Sequence, residues 1–133
     1  MRHLPRSLRA LALAVVLAVA CSNGTTPVTP VQAAGVYTLE SVTGRGPQSG
    51  TFTLTADGRA ERHVKFAVTG PYDYVATGSF EIEAGEISFA LVHSGTPSMY
   101  VWPVHGEWRG SSFTIRYPDP ADGPDIVETY RRS

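Results

Sequence analysis

The chain has 133 residues, 42% hydrophobic, 17% charged and 10% aromatic, with 13 Gly, 10 Pro, one Cys and a formal net charge of −1. This composition excludes a disordered charged tail, a collagen-like repeat and a multi-pass membrane protein, and one cysteine excludes a disulfide scaffold. The length suits one domain.

Met1–Arg9 is short and basic, carrying Arg2, Arg6 and Arg9, and Ala10–Ala20 is an unbroken apolar run. As a helix that run would span about 17 Å, well short of a hydrocarbon core of about 30 Å, so residues 1–20 read as an export signal and not as an anchor. The run stops at Cys21, the only cysteine, followed by polar Ser22, Asn23 and Gly24. Leu17-Ala18-Val19-Ala20-Cys21 resembles the lipobox of bacterial lipoproteins, with Ala18 where leucine is usual three places before the cysteine. The resemblance implies a diacylglyceryl thioether on Cys21, which becomes the acylated N-terminus. Acyl chains contribute roughly 0.8 kcal/mol per buried methylene, enough for a durable membrane anchor. The competing reading is an ordinary cleaved signal ending at Ala18-x-Ala20, with Cys21 a free thiol. Ser22 is not aspartate, so the resemblance implies the outer membrane over retention at the inner one.

Removal of the signal takes three of the 11 basic side chains, leaving eight against 12 acidic, a formal net of −4. No basic stripe remains to track a phosphate backbone, and nucleic acid is not an expected partner. Residues 21–34, rich in Thr, Pro and small side chains, read as a flexible tether. The folded unit is expected over 35–133.

Within that unit the hydrophobic period is two almost throughout. Strands are predicted at Val36–Val42, Thr51–Thr55, Arg59–Val68 and Tyr72–Glu83, then at Glu86–His93, Ser98–Arg109, Ser112–Tyr117 and Asp125–Arg131. Turn signals separate them, among them Asp57-Gly58, Gly70-Pro71, Ala84-Gly85 and the loop Pro118–Pro124. The fold class is therefore all-β, an antiparallel meander of about eight strands that closes into a small barrel, with a two-sheet sandwich or half-open barrel as runner-up.

The segments Gly35-Val36-Tyr37-Thr38-Leu39-Glu40-Ser41-Val42, Phe52-Thr53-Leu54-Thr55-Ala56-Asp57-Gly58 and Gly78-Ser79-Phe80-Glu81-Ile82 resemble small bacterial lipocalin-like lipoproteins. Tyr37 stands where lipocalins carry tryptophan. The resemblance implies that an arginine near the last strand, Arg131 or Arg132, packs across that first-strand aromatic. It also implies a binding cavity.

No hydrolase, metalloprotease or phosphate-loop motif is present, so no enzyme, cofactor or metal is expected. His63 shares a face with Glu61 and Lys65, whereas His93 has the inward parity of Leu91, so the histidines with His105 do not converge. Asp119, Asp122 and Asp125 lack calcium-loop spacing and read as a rigid turn. Tyr100, Trp102, Val104 and Trp108 share one parity, and Tyr72, Tyr74 and Phe80 another. These rings either fill a small barrel or line a cavity for an apolar ligand, and filling is the more economical reading. Gly78, Ala76 and Ala90 are read as leaving room inside. Arg62 shares the parity of Val64 and Phe66, and an inward arginine is costly unless paired or touching a ligand. Candidate ligand-binding residues are thus Arg62, Tyr74 and Trp102. The expected protein is a monomeric, lipid-anchored envelope lipoprotein binding a small apolar or amphiphilic molecule. The alternative is an interaction protein with a packed core.

Overall fold

The computed structural model describes residues 27–68, 70–94 and 101–133. The signal segment, Cys21 and Tyr100 lie outside the described residues, as does the Tyr72 side chain. Eight strands form one closed antiparallel meander: β1 (Gly35–Thr43), β2 (Ser49–Leu54), β3 (Arg59–Val68), β4 (Gly70–Glu83), β5 (Glu86–His93), β6 (Trp102–Trp108), β7 (Ser112–Tyr117) and β8 (Ile126–Arg132). Closure comes from β1 pairing with β8, from Tyr37 opposite Arg132 to Thr43 opposite Val127, with a bulge between Leu39 and Ser41. The barrel therefore holds and the sandwich does not: every strand has a neighbour on both sides, and no sheet edge is left to protect.

Alternation decides which side chains point in. Phe52 and Leu54, Val64, Ala76 and Phe80, Ile87, Phe89 and Leu91, Phe113 and Ile115, and Tyr130 are all buried. The start of β4 differs from expectation in a way that matters for its proline. The Gly70-Pro71 pair begins β4 instead of breaking the chain, paired with Val68 and Ala67. Pro103 lies where β6 pairs with β5 but not with β7, whose pairing starts at His105. Gly78 does not create interior room. A Cβ there would collide with the Ala90 carbonyl, so the glycine permits close approach of the β4 and β5 backbones as the sheet coils.

The two ends of the barrel differ. The β2–β3, β4–β5 and β6–β7 turns share one end with the start of β1 and the finish of β8. This end is closed by a short helical turn, α1 (Pro30–Ala33), capped by reciprocal Thr29–Gln32 hydrogen bonds with Pro30 leading it. Ala33 is fully buried, and its carbonyl accepts from the Tyr37 hydroxyl at 2.7 Å. Arg132 Nη2 donates to the Gln32 carbonyl at 2.9 Å. The reading of residues 21–34 as a flexible tether is thus corrected from position 27 onward. Local composition hid the reason, which is that Ala33 and Val28 find apolar cover only against the barrel end.

Above that plug the interior is packed with rings. Phe52 lies 4.7 Å from Phe89 and 4.9 Å from Tyr130, Tyr37 lies 5.2 Å from Phe113, and Phe113 stacks on Tyr130 at 5.3 Å (centroid distances). Of the two candidate arginines, Arg132 sits over the Tyr37 ring, 5.1 Å from its centroid, with Nε donating to the hydroxyl at 3.0 Å. Arg131 points outward to Glu40 at 3.0 Å.

Candidate functional site

At the opposite end the β1–β2 and β7–β8 connections, the last residues of β3 and β5 and the first residues of β4 and β6 frame a mouth. A cavity of about 670 Å³ opens there. Its floor is Arg62 of β3. Its walls are Tyr74 of β4, His93 of β5, Trp102 of β6 and Tyr117 of β7, and its rim includes Asp119 and Arg45 from the connecting loops. All three residues singled out from sequence, Arg62, Tyr74 and Trp102, converge in it. The wall rings are ordered by one another: Tyr74 stacks on His93 at 4.1 Å, and Trp102 meets Tyr117 edge-on at 5.1 Å.

Arg62 is 2% exposed and Glu128 of β8 is 0% exposed. Nη2 of Arg62 donates to both Glu128 oxygens, at 2.9 and 2.7 Å, and lies 3.4 Å from the Tyr117 hydroxyl. The Tyr130 hydroxyl donates to Glu128 from below. The guanidinium carbon sits 5.3 Å from the Trp102 ring centroid, 5.5 Å from Tyr74 and 5.9 Å from Tyr117. Burial is the strongest single influence and pulls the Arg62 pKa down, but the adjacent Glu128 carboxylate and the Tyr130 and Tyr117 phenols together hold the group above the ordinary arginine value. Burial, with the same carboxylate as second cause, pushes the Tyr117 and Tyr130 phenols above the ordinary tyrosine range. The floor is therefore a fixed ion pair, locked by two phenols and roofed by rings.

Two residues that line the cavity each carry a buried polar atom with no hydrogen-bond partner among the described residues: Nε of Arg62 and Oδ2 of Asp119. Buried groups of this kind are rare in finished structures because each forfeits its hydration without replacement.

Sequence reasoning missed Glu128, although Ile126, Glu128 and Tyr130 share one parity and an inward glutamate is the natural partner of an inward arginine. Tyr117 and Tyr130 were missed as well, although Tyr117 shares the inward parity of Phe113 and Ile115 on β7 and Tyr130 that of Ile126 on β8. Asp119 was read as a turn residue; it is one, and it is also cavity lining. The histidines of the barrel are engaged separately: His63 with Asp73 at 3.4 Å, His93 with Tyr74, and His105 with Glu86 at 3.4 Å. Asp122 adopts a positive φ of 61° and Asp125 faces Arg116 at 3.7 Å.

Comparison with family models, with curated proteins and with solved structures gave no match. The functional reading rests on the geometry and on the sequence.

Proposed function

We propose that this chain is a bacterial envelope lipoprotein, anchored through a lipidated Cys21 and destined for the outer membrane, whose barrel holds a small apolar or amphiphilic molecule at its open end. The observation that carries the reading is the cavity of about 670 Å³ above the Arg62–Glu128 floor. Its size lies within the range of about 300–1,000 Å³ typical of small-molecule pockets. The closed half of the barrel is filled by rings, whereas the open half presents partly exposed aromatic faces that a packed core would have covered.

Attachment geometry supports the same reading. Cys21 precedes Pro27 by six residues, a reach of about 20 Å when extended, and the chain enters the barrel at its closed end. An anchor on Cys21 thus holds the closed end toward the bilayer and leaves the mouth facing water.

Two measurements test the proposal. The wild-type protein should partition with membranes and carry a lipid mass, and Cys21→Ser should abolish both. Native mass spectrometry of the Cys21→Ser protein, purified without detergent, should show an adduct that Trp102→Ala loses. A bare, monodisperse mass that also ignores the neutral apolar probe N-phenylnaphthylamine would overturn ligand binding and leave an interaction role.

A further inference from the structure

Asp119 is 8% exposed, and its carboxylate is held from one side only. Oδ1 accepts the Ala121 N–H at 2.9 Å, whereas Oδ2 accepts no hydrogen bond from the described residues. The cation that faces it among those residues is Nε of Arg45 at 3.9 Å, beyond hydrogen-bond reach, on a side chain that is 74% exposed. The loop is built around that oxygen: a Cβ on Gly123 would come within 2.5 Å of Oδ2. A carboxylate oxygen removed from water without a donor is costly, and a cation that donates a hydrogen bond offsets the cost best.

Accordingly, we infer that the cavity takes a protonated amine on an apolar, ring-bearing body, its N–H donating to Oδ2 of Asp119 in the place Arg45 now shadows. The inference deepens the binding function proposed above and rests on it. The ring-lined walls formed by Tyr74, His93, Trp102 and Tyr117 suit the apolar body. The positive charge of Arg62 does not repel the amine, because Glu128 neutralises it at 2.7 Å. A carboxylate-bearing ligand would meet Asp119 as a like charge at the rim. The remaining orphan, Nε of Arg62, would serve an acceptor atom on the deep end of the same molecule.

The test uses three dansylamides with the same five-carbon arm, ending in an ammonium, a methyl or a carboxylate group, titrated by fluorescence into the exported Cys21→Ser protein. The ammonium probe should bind about tenfold or more tightly than the methyl probe, the factor expected of one charge-assisted hydrogen bond, and the carboxylate probe should bind weakest. Asp119→Asn keeps the side chain's shape and should erase the ammonium preference, bringing the ammonium and methyl probes to similar affinities. Arg45→Ala removes the competing cation and should strengthen ammonium binding several-fold, which a purely structural Asp119 would not do. Equal binding of the ammonium and methyl probes, or a preference that survives Asp119→Asn, overturns the amine inference while the cavity stands as an apolar site. Failure of all three probes to bind overturns both readings.

Discussion

Glu128→Gln is the substitution that most directly interrogates the barrel's interior. The glutamine keeps the side chain's volume and one carbonyl acceptor but removes the charge that faces Arg62 at 2.7 and 2.9 Å. With Arg62 2% exposed, no solvent replaces the lost carboxylate, and the guanidinium is left as an uncompensated buried cation. Breaking a buried pair in this way costs about 3–5 kcal/mol, a large share of the roughly 5–15 kcal/mol that stabilises a domain. At a urea m-value of about 1–3 kcal/mol/M the unfolding midpoint should fall by about 1 M or more, read by tryptophan fluorescence. Replacing the whole group should behave differently. Arg62→Met with Glu128→Leu removes both charges but orphans the Tyr130 hydroxyl, which donates to Glu128, at a cost of about 1–3 kcal/mol. Adding Tyr130→Phe should therefore bring the triple variant back to near wild-type stability. A loss below about 1 kcal/mol for Glu128→Gln would refute the reasoning, since it would mean that water or another anion reaches Arg62.

Two further outcomes follow from the same geometry. Tyr117 and Tyr130 hold their protons above the ordinary phenol value of 10.0, first because they are buried and second because Glu128 is adjacent. Their contribution to stability is thus full below about pH 10, where folded and unfolded phenols are both protonated, and is lost as pH rises and only the unfolded phenols ionise. Absorbance of tyrosinate near 295 nm should show a fraction that appears only as the barrel unfolds and that Tyr117→Phe and Tyr130→Phe diminish; ionisation of Tyr117 and Tyr130 near pH 10 in the folded protein would contradict this. Tyr37→Phe removes the donor to the Ala33 carbonyl and the acceptor for Arg132, so the plug at the closed end should loosen by about 1–3 kcal/mol. Faster amide exchange over residues 29–34 with unchanged probe binding at the open end is the expected signature, and unchanged exchange would show that the hydroxyl does not hold α1.

Much of this molecule is written in a local code. Period-two alternation, Asp-Gly and Ala-Gly turns and short connections specify an antiparallel meander because side chains on a strand must alternate between core and water. The same parity put Arg62, Tyr74 and Trp102 inside, and the structure gathers all three around one cavity. Parity on β8 carried Glu128 as well, and weighing the inward arginine against every inward acid would have found it.

Other features have no local signature. Whether the meander closes depends on β1 meeting β8 nearly the whole chain away, a pairing between residues such as Thr38 and Arg131. Whether the rings fill the barrel or line a void depends on how their volumes add up around the axis, and the answer differs between the two ends. Residues 27–34 look like linker because their composition cannot bury itself; only the barrel end, through Tyr37 and Arg132, gives them a surface to bury against. The unsatisfied oxygen of Asp119 is likewise invisible in Pro-Asp-Pro-Ala-Asp-Gly-Pro, where every residue but Ala121 is a turn former. The turn chemistry was determined by the sequence, but whether that oxygen met water or a cavity wall was decided by tertiary packing, since burial is a property of neighbours that lie far along the chain.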